Sequence, residues 1–171
     1  MAQGRSQFVG NAGQYYVAYG LAVRQVNVSI THGNVPSVDL LAASPDGRRA
    51  MSLQVKTARN AHRPNRYGRE GYEWDAGASV VGNHGESFWY ALVDLQESEG
   101  HWTPQVYFVP SRWVAEFVKP TWKRFPYFLP VTVRQDTLER WDLVKGYLKG
   151  DNAAIQWANS WPENLLVKWG D

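Results

Sequence analysis

Asp39, Gln54 and Lys56 flank a short segment, Ser44-Pro-Asp-Gly-Arg48. Pro-Asp-Gly is a turn signal, because proline presets φ and glycine accepts positive φ. Val38 to Ala43 and Ala50 to Thr57 on either side read as strands, so a hairpin is expected. If it is centred between Asp46 and Gly47, residues whose numbers sum to 93 lie opposite one another, and Asp39 faces Gln54. Side chains alternate along a strand, which puts Gln54 and Lys56 on one face and Leu53 and Val55 on the other. A carboxylate, an amide oxygen and an ammonium then converge. Those groups suit metal-assisted phosphodiester hydrolysis: Mg²⁺ takes hard oxygen ligands and keeps several waters, so Asp39, Gln54 and a substrate phosphate can complete its shell. The ion lowers the pKa of a bound water. Lys56 can orient that water or stabilise the pentavalent transition state. The plain alternative is an ordinary surface Asp–Lys pair across a hairpin, which contributes little.

The elements that must position these residues follow from periodicity. Ser6 can cap a helix running to about Arg24, with Phe8, Ala12, Tyr15, Tyr19 and Ala22 on one side. Val26 to Thr31 alternates apolar and polar residues as a half-buried strand does. Phe88 to Leu95 and Gln105 to Val109 read as two further strands separated by a polar loop containing Gly100. Ser111 can cap a short helix from Arg112 to about Lys119. A Pro-rich, aromatic stretch runs from Pro120 to Pro130, and Thr137 to about Leu148 reads as a helix with Leu138, Trp141, Val144 and Leu148 on one side.

The 171 residues are about one domain long, with the core expected over residues 6–148 and a tail over 149–171. Hydrophobic and charged fractions of 44% and 20% fit a folded globular chain and exclude a disordered one. The absence of cysteine excludes a disulfide scaffold, a thiolate nucleophile and Cys-ligated metal. No signal-peptide or membrane-spanning pattern appears, so a soluble, cytoplasmic protein without membrane contact is expected.

Charge is uneven. Residues 1–69 carry nine Arg or Lys against Asp39 and Asp46, whereas residues 70–100 carry seven acids and no base. Arg59, Arg63, Arg66 and Arg69 recur through a Pro- and Gly-broken segment that reads as a loop. Their guanidinium groups can track nucleic-acid phosphates, or the segment can be a solvated basic loop neutralised by the acids beside it. His32, His62, His84 and His101 lack metal-ligand spacing, though His62 lies within the basic segment. Trp113, Trp141 and Trp157 have core spacing. Trp122, Trp161 and Trp169 lie beside Pro or Lys, where stacking on unpaired bases is conceivable.

Val35-Pro-Ser-Val-Asp39-Leu-Leu-Ala, the turn, and Ser52-Leu-Gln54-Val-Lys56-Thr57 resemble the core motif of the PD-(D/E)XK nuclease superfamily, which includes restriction endonucleases and Holliday junction resolvases. Gly13-Gln14-Tyr15-Tyr16-Val17-Ala18 resembles its first-helix segment, with Gln14 where many members carry Glu. The resemblance covers residues 8–57 best. It implies an α/β, restriction endonuclease-like fold, with a central mixed β-sheet of about five strands flanked by α-helices. It further implies a Mg²⁺- or Mn²⁺-dependent DNA endonuclease, with Asp39 and Gln54 as metal ligands, Lys56 serving the nucleophile and Gln14 supporting from the helix. DNA is the expected substrate, with RNA left open, and a homodimer is expected where both strands are cut. Gln14 and Gln54 each replace a carboxylate, and fewer anionic ligands weaken Mg²⁺ binding. Glu70, Glu73 or Asp75 could fold back to restore charge. The alternative is a weak or inactive nuclease-fold module that binds nucleic acid or a protein partner.

Overall fold

The computed structural model describes residues 2–31, 37–66, 68–119, 121 and 123–160. Val35 and Pro36 of the motif, His32, Trp122, Trp161 and Trp169 lie outside them. A five-stranded mixed sheet has the order β1 (Asn27–Ile30), β2 (Leu40–Ala43), β3 (Ala50–Arg59), β6 (Phe88–Ser98), β7 (His101–Pro110). All neighbours are antiparallel except β3 and β6, which are parallel. β6 is buried from Phe88 to Leu95 because both its faces are covered. Trp89, Ala91 and Val93 join one apolar cluster with the helices α1 (Ala2–Ala22), α4 (Trp141–Lys149) and α5 (Asn152–Asn159). Tyr90 and Leu92 join a second cluster on the opposite face, with α2 (Ser111–Phe117) and a smaller sheet. The mixed sheet flanked by helices matches the fold class expected from the sequence. Among the described residues no helix is long and apolar enough to cross a membrane.

The β2–β3 register agrees with the turn arithmetic: Leu40 pairs with Leu53, Leu41 with Ser52, Ala42 with Met51 and Ala43 with Ala50. Gly47 takes φ 69° in the turn, and Asp46 Oδ1 accepts hydrogen bonds from Ser44 Oγ and the Arg48 N–H. β6 and β7 extend beyond the expected strands to a two-residue turn, in which Glu99 and Gly100 both have positive φ.

Helix α1 differs more. It starts ahead of Ser6, because Ala2 and Gln3 are themselves strong helix formers. Phe8, Ala12, Tyr15, Tyr19 and Ala22, the expected buried side, face solvent, and Val17, Ala18 and Leu21 are buried instead. The helix is apolar on both sides, so spacing alone allows either orientation. Glycine decides: Gly13 and Gly20 lie on the buried side, where an added Cβ would strike the Thr57 side chain and the Trp141 ring.

The basic segment is not a loop. It forms β4 (His62–Arg66) and turns into β5 (Arg69–Asp75), which pairs with β8 (Pro126–Pro130) in a three-stranded sheet of order β4-β5-β8. Pro64 is tolerated because β4 is an edge strand with a register shift between Arg63 and Arg66. The helix expected over 137–148 is broken into α3 (Arg134–Thr137) and α4. Leu138 leaves it to bridge Tyr107, and Glu139, at φ 53°, donates its N–H to the Val106 carbonyl. Leu138 therefore packs in the second cluster, away from Trp141. Ser111 does not cap α2, whose N-cap is Pro110; its hydroxyl bonds the backbone of Gly85. α5 buries Ala154 and Ala158, and Trp157 packs on Trp89 and Trp113, so the core extends past residue 148.

Two glycines of α1 separate close approach from helix propensity. Gly13→Ala forces the helix off β3 and should cost about 1–3 kcal/mol. At Gly10 an added Cβ meets nothing, so Gly10→Ala should gain up to about 1 kcal/mol. Urea unfolding of the two variants checks the opposite signs.

Candidate functional site

Asp39 precedes β2 and is tied to β3 twice. Its N–H donates to the Leu53 carbonyl (2.9 Å), and its carboxylate Oδ2 accepts the Val55 N–H (2.7 Å). Leu40 also pairs with Leu53, so two residues of this strand oppose one of the next, the arrangement of a β-bulge. The bulge turns the Asp39 carboxylate onto the Val55 amide, between Gln54 and Lys56. From α1, Gln14 Nε2 donates to the Asp39 carbonyl (3.0 Å), which also accepts the Thr31 N–H (3.0 Å). Gln14, Asp39 and Lys56 thus come together, but in different ways: Gln14 holds the Asp39 backbone and not its carboxylate, and Lys56 feels the charge of that carboxylate.

Gln54 is buried, and its Oε1 has no hydrogen-bond partner among the described residues. A buried, unsatisfied acceptor costs about 1–3 kcal/mol. Its neighbour in register on β6, Tyr90, also has a buried hydroxyl without a partner, and burial holds that phenol protonated well above its ordinary pKa. Lys56 is half-buried. Burial lowers its pKa below the ordinary 10.5, while the carboxylates of Asp39 and Asp75 pull it partly back up.

Asp75, one of three acids that could fold back, is the one that does. It ends β5, and its Oδ1 accepts the Gly77 N–H (3.1 Å). A Cβ on Gly77 would stand 3.7 Å from Lys56 Nζ. The Trp74 indole N–H, donated to the Val93 carbonyl (2.9 Å), fixes β5 to the central sheet. Glu70 instead bonds His62 (2.9 Å), and Glu73 pairs with Arg66 (2.9 Å) and Arg63 (3.8 Å).

The four arginines do not act as one loop. Arg63 and Arg66 line a groove of about 340 Å³, with Thr57, Glu73, Asp75 and Arg124. Arg59 lies over the Trp102 ring (5.0 Å), and Arg69 is exposed near the hairpin tip. Arg124 lies in the Pro-rich, aromatic stretch from Pro120 to Pro130, where no periodicity or charge run marks it in the sequence. Among the described residues, no three His, Cys, Asp or Glu side chains converge as a metal cluster. Two carboxylates, Asp39 and Asp75, act on Lys56, and Gln54 on the same strand face carries an amide oxygen without a partner among the described residues; the Asp39 and Gln54 oxygens are hard donors of the kind Mg²⁺ takes.

No protein-family model and no curated protein matches the chain. Among solved structures, that of the bacterial homing endonuclease I-Ssp6803I aligns with a TM-score of 0.53 at 16% identity, over 86% of this chain and 96% of that one. The likeness is one of fold, and it spans almost the whole of both chains.

The burial of Lys56 has a thermodynamic sign. The folded chain binds this proton less tightly than the unfolded chain, so the ammonium costs stability below the folded pKa, and stability rises as pH climbs from there toward 10.5. Lys56→Met should stabilise the protein by about 1 kcal/mol near neutral pH, with the advantage shrinking in alkali; unfolding midpoints across pH measure it. Asp75→Asn removes a stabilising negative charge and should move the Lys56 titration, followed by NMR of the labelled side chain, to lower pH.

Proposed function

We propose that the chain is a metal-dependent DNA endonuclease of the PD-(D/E)XK type, with a D…QxK set formed by Asp39, Gln54 and Lys56 and with Gln14 at the helix position. The observation that carries this reading is the Asp39 carboxylate locked onto the Val55 N–H between Gln54 and Lys56. The fold shared with a homing endonuclease supports it, as does the arginine-lined groove beside Asp75.

Asp39 and the unsatisfied Gln54 Oε1 would hold Mg²⁺ or Mn²⁺. When bound, the ion supplies an acidified water and Lewis-acid stabilisation of the phosphate. Lys56 holds the attacking water by a hydrogen bond and, as the ammonium, offsets charge growing on the phosphoryl oxygens. Its partial burial strengthens that interaction, because the local dielectric is lower than that of water. Asp75 keeps the Lys56 proton on and orients the ammonium. Gln14 fixes the Asp39 backbone, so the carboxylate needs no rearrangement on binding. Arg63, Arg66 and Arg124 bind flanking phosphates, with Glu73 holding the first two ready in the groove.

A second reading is a nuclease fold that binds nucleic acid without cutting. The single carboxylate at the proposed metal position favours it, since low ligand charge weakens Mg²⁺ binding. Calorimetric titration with Mn²⁺ in the presence of DNA separates the two, and absence of binding selects the second.

With plasmid, branched and single-stranded DNA in Mg²⁺ or Mn²⁺, the chain should cleave, and Asp39→Ala or Lys56→Ala should lower the rate at least about 100-fold. Cleavage that survives either change would sink the endonuclease reading. Replacing Arg63 and Arg66 with Ala should weaken DNA binding whatever the sequence and reduce its salt slope by about two.

A further inference from the structure

We infer that the end of the molecule at the β2–β3 turn is a second nucleic-acid contact, where Arg24, Arg48, Arg49, Lys145 and Lys149 take the backbone phosphates of a segment other than the one in the groove beside Asp75. The inference rests on the reading of the chain as a DNA-binding protein, and not on cleavage or on a metal. Two surface cavities, of about 70 and 500 Å³, share Ser44, Pro45, Leu148 and Lys149, and so form one depression between the turn and the C-terminal part of α4. Arg24 and Lys145 line the smaller part, and Arg48 and Arg49 the larger. The function proposed above uses none of these cations, although Arg24, Arg48 and Arg49 belong to the basic first part of the sequence.

Their number exceeds what the fold needs. Helices α1 and α4 both end here. The Arg24 guanidinium donates to the Gly20 carbonyl (2.9 Å) and lies over the Trp141 ring (4.4 Å). Arg49 packs against Gly150, where an added Cβ would stand 2.9 Å from its Nε. A helix C-terminus carries about half a negative charge, so the two termini balance about one cation. Among the described residues Asp46 is the only acid lining the depression, and it balances another through Arg48, 3.6 Å away on the exposed turn. Asp142 pairs with Arg140, and Asp151 caps α5. About three positive charges are left over.

Their surroundings select the partner. A protein interface centres on large apolar anchors, and a peripheral membrane contact needs apolar residues to bury. Of the apolar residues lining the depression, Val26 and Leu148 are buried and only Pro45 reaches solvent. Phosphate contacts need only Arg and Lys spread along a surface. Position makes the contact a separate one. From Ala50, beside the turn, to Lys56, β3 covers about 20 Å. α4 packs in the first apolar cluster, whereas β5, which carries Asp75, packs in the second. The depression and the groove lie toward opposite ends of β3 and on opposite faces of the central sheet, so a straight duplex in one does not reach the other.

Calorimetric titration of the full chain with a duplex of about ten base pairs, one helical turn, tests this without metal. The wild type should bind two duplexes. Arg48→Ala combined with Lys149→Ala should bind one, with circular dichroism and melting unchanged, because both side chains are exposed. Arg63→Ala combined with Arg66→Ala should also keep one, and that duplex should shift the NMR signals of Lys145 and Lys149. If the groove takes no DNA, the wild type binds one duplex, which the groove variant keeps and the turn variant loses; the inference then stands while the reading of the groove falls. A turn variant that binds as many duplexes as the wild type overturns the inference. So does displacement of the duplex by an equal concentration of inorganic phosphate, which would make this a small-anion site. Vesicles of phosphatidylserine and phosphatidylcholine that bind the wild type and not the turn variant, with no duplex bound there, overturn it in favour of a membrane surface.

Discussion

The hydrogen bond from the Val55 amide to the Asp39 carboxylate is the constraint around which the site is built. In a regular ladder that amide would find a backbone carbonyl; at the bulge a side chain takes its place. The substitution satisfies a backbone donor and fixes an anion at a defined height on β3. Everything else about Asp39 reinforces it. Its carbonyl is held by Gln14 and Thr31, and its N–H by Leu53. The carboxylate is therefore oriented before anything binds, the condition under which an electrostatic group stabilises a transition state without reorganising.

That arrangement brings a half-buried lysine beside a buried, unsatisfied amide oxygen. Both are unfavourable for folding by themselves, since burial penalises an ammonium and an unpaired acceptor alike. Folded proteins tolerate such costs where a ligand or a reaction uses them. The small β4-β5-β8 sheet has a part here. It supplies Asp75 to the lysine, and its Trp74 is tied to the central sheet, so the carboxylate is anchored in the core.

The two apolar clusters lie on opposite faces of the central sheet, and β6 serves both by alternation. α1 contributes to one cluster only, with glycines at its closest approaches to Thr57 and Trp141. Its outward face, with Phe8, Tyr15 and Tyr19 exposed, takes no part in that core, whereas Tyr16 packs edge-on against Trp141.

Much of the fold and of the central site was legible in the chain. The Pro-Asp-Gly turn set the β2–β3 register, because a tight turn with one glycine at positive φ leaves few pairings, and strand alternation then placed Gln54 and Lys56 on one face. Short-range chemistry decides such features, and sequence records it. The orientation of α1, the break before α4 and the β4–β5 hairpin were not legible, because each rests on a contact distant in sequence. Gly13 meets Thr57, Leu138 bridges Tyr107, and β5 pairs with β8 more than fifty residues on. Asp75 belongs with these: among Glu70, Glu73 and Asp75 the sequence offered three equal acids, and only the docking of β5 on the central sheet selected the one beside Lys56. By itself, then, the sequence determined the hairpin and the residue types it brings together. Which carboxylate joins them, and which side of α1 is left to solvent, was decided by the tertiary packing of surfaces that local periodicity cannot rank.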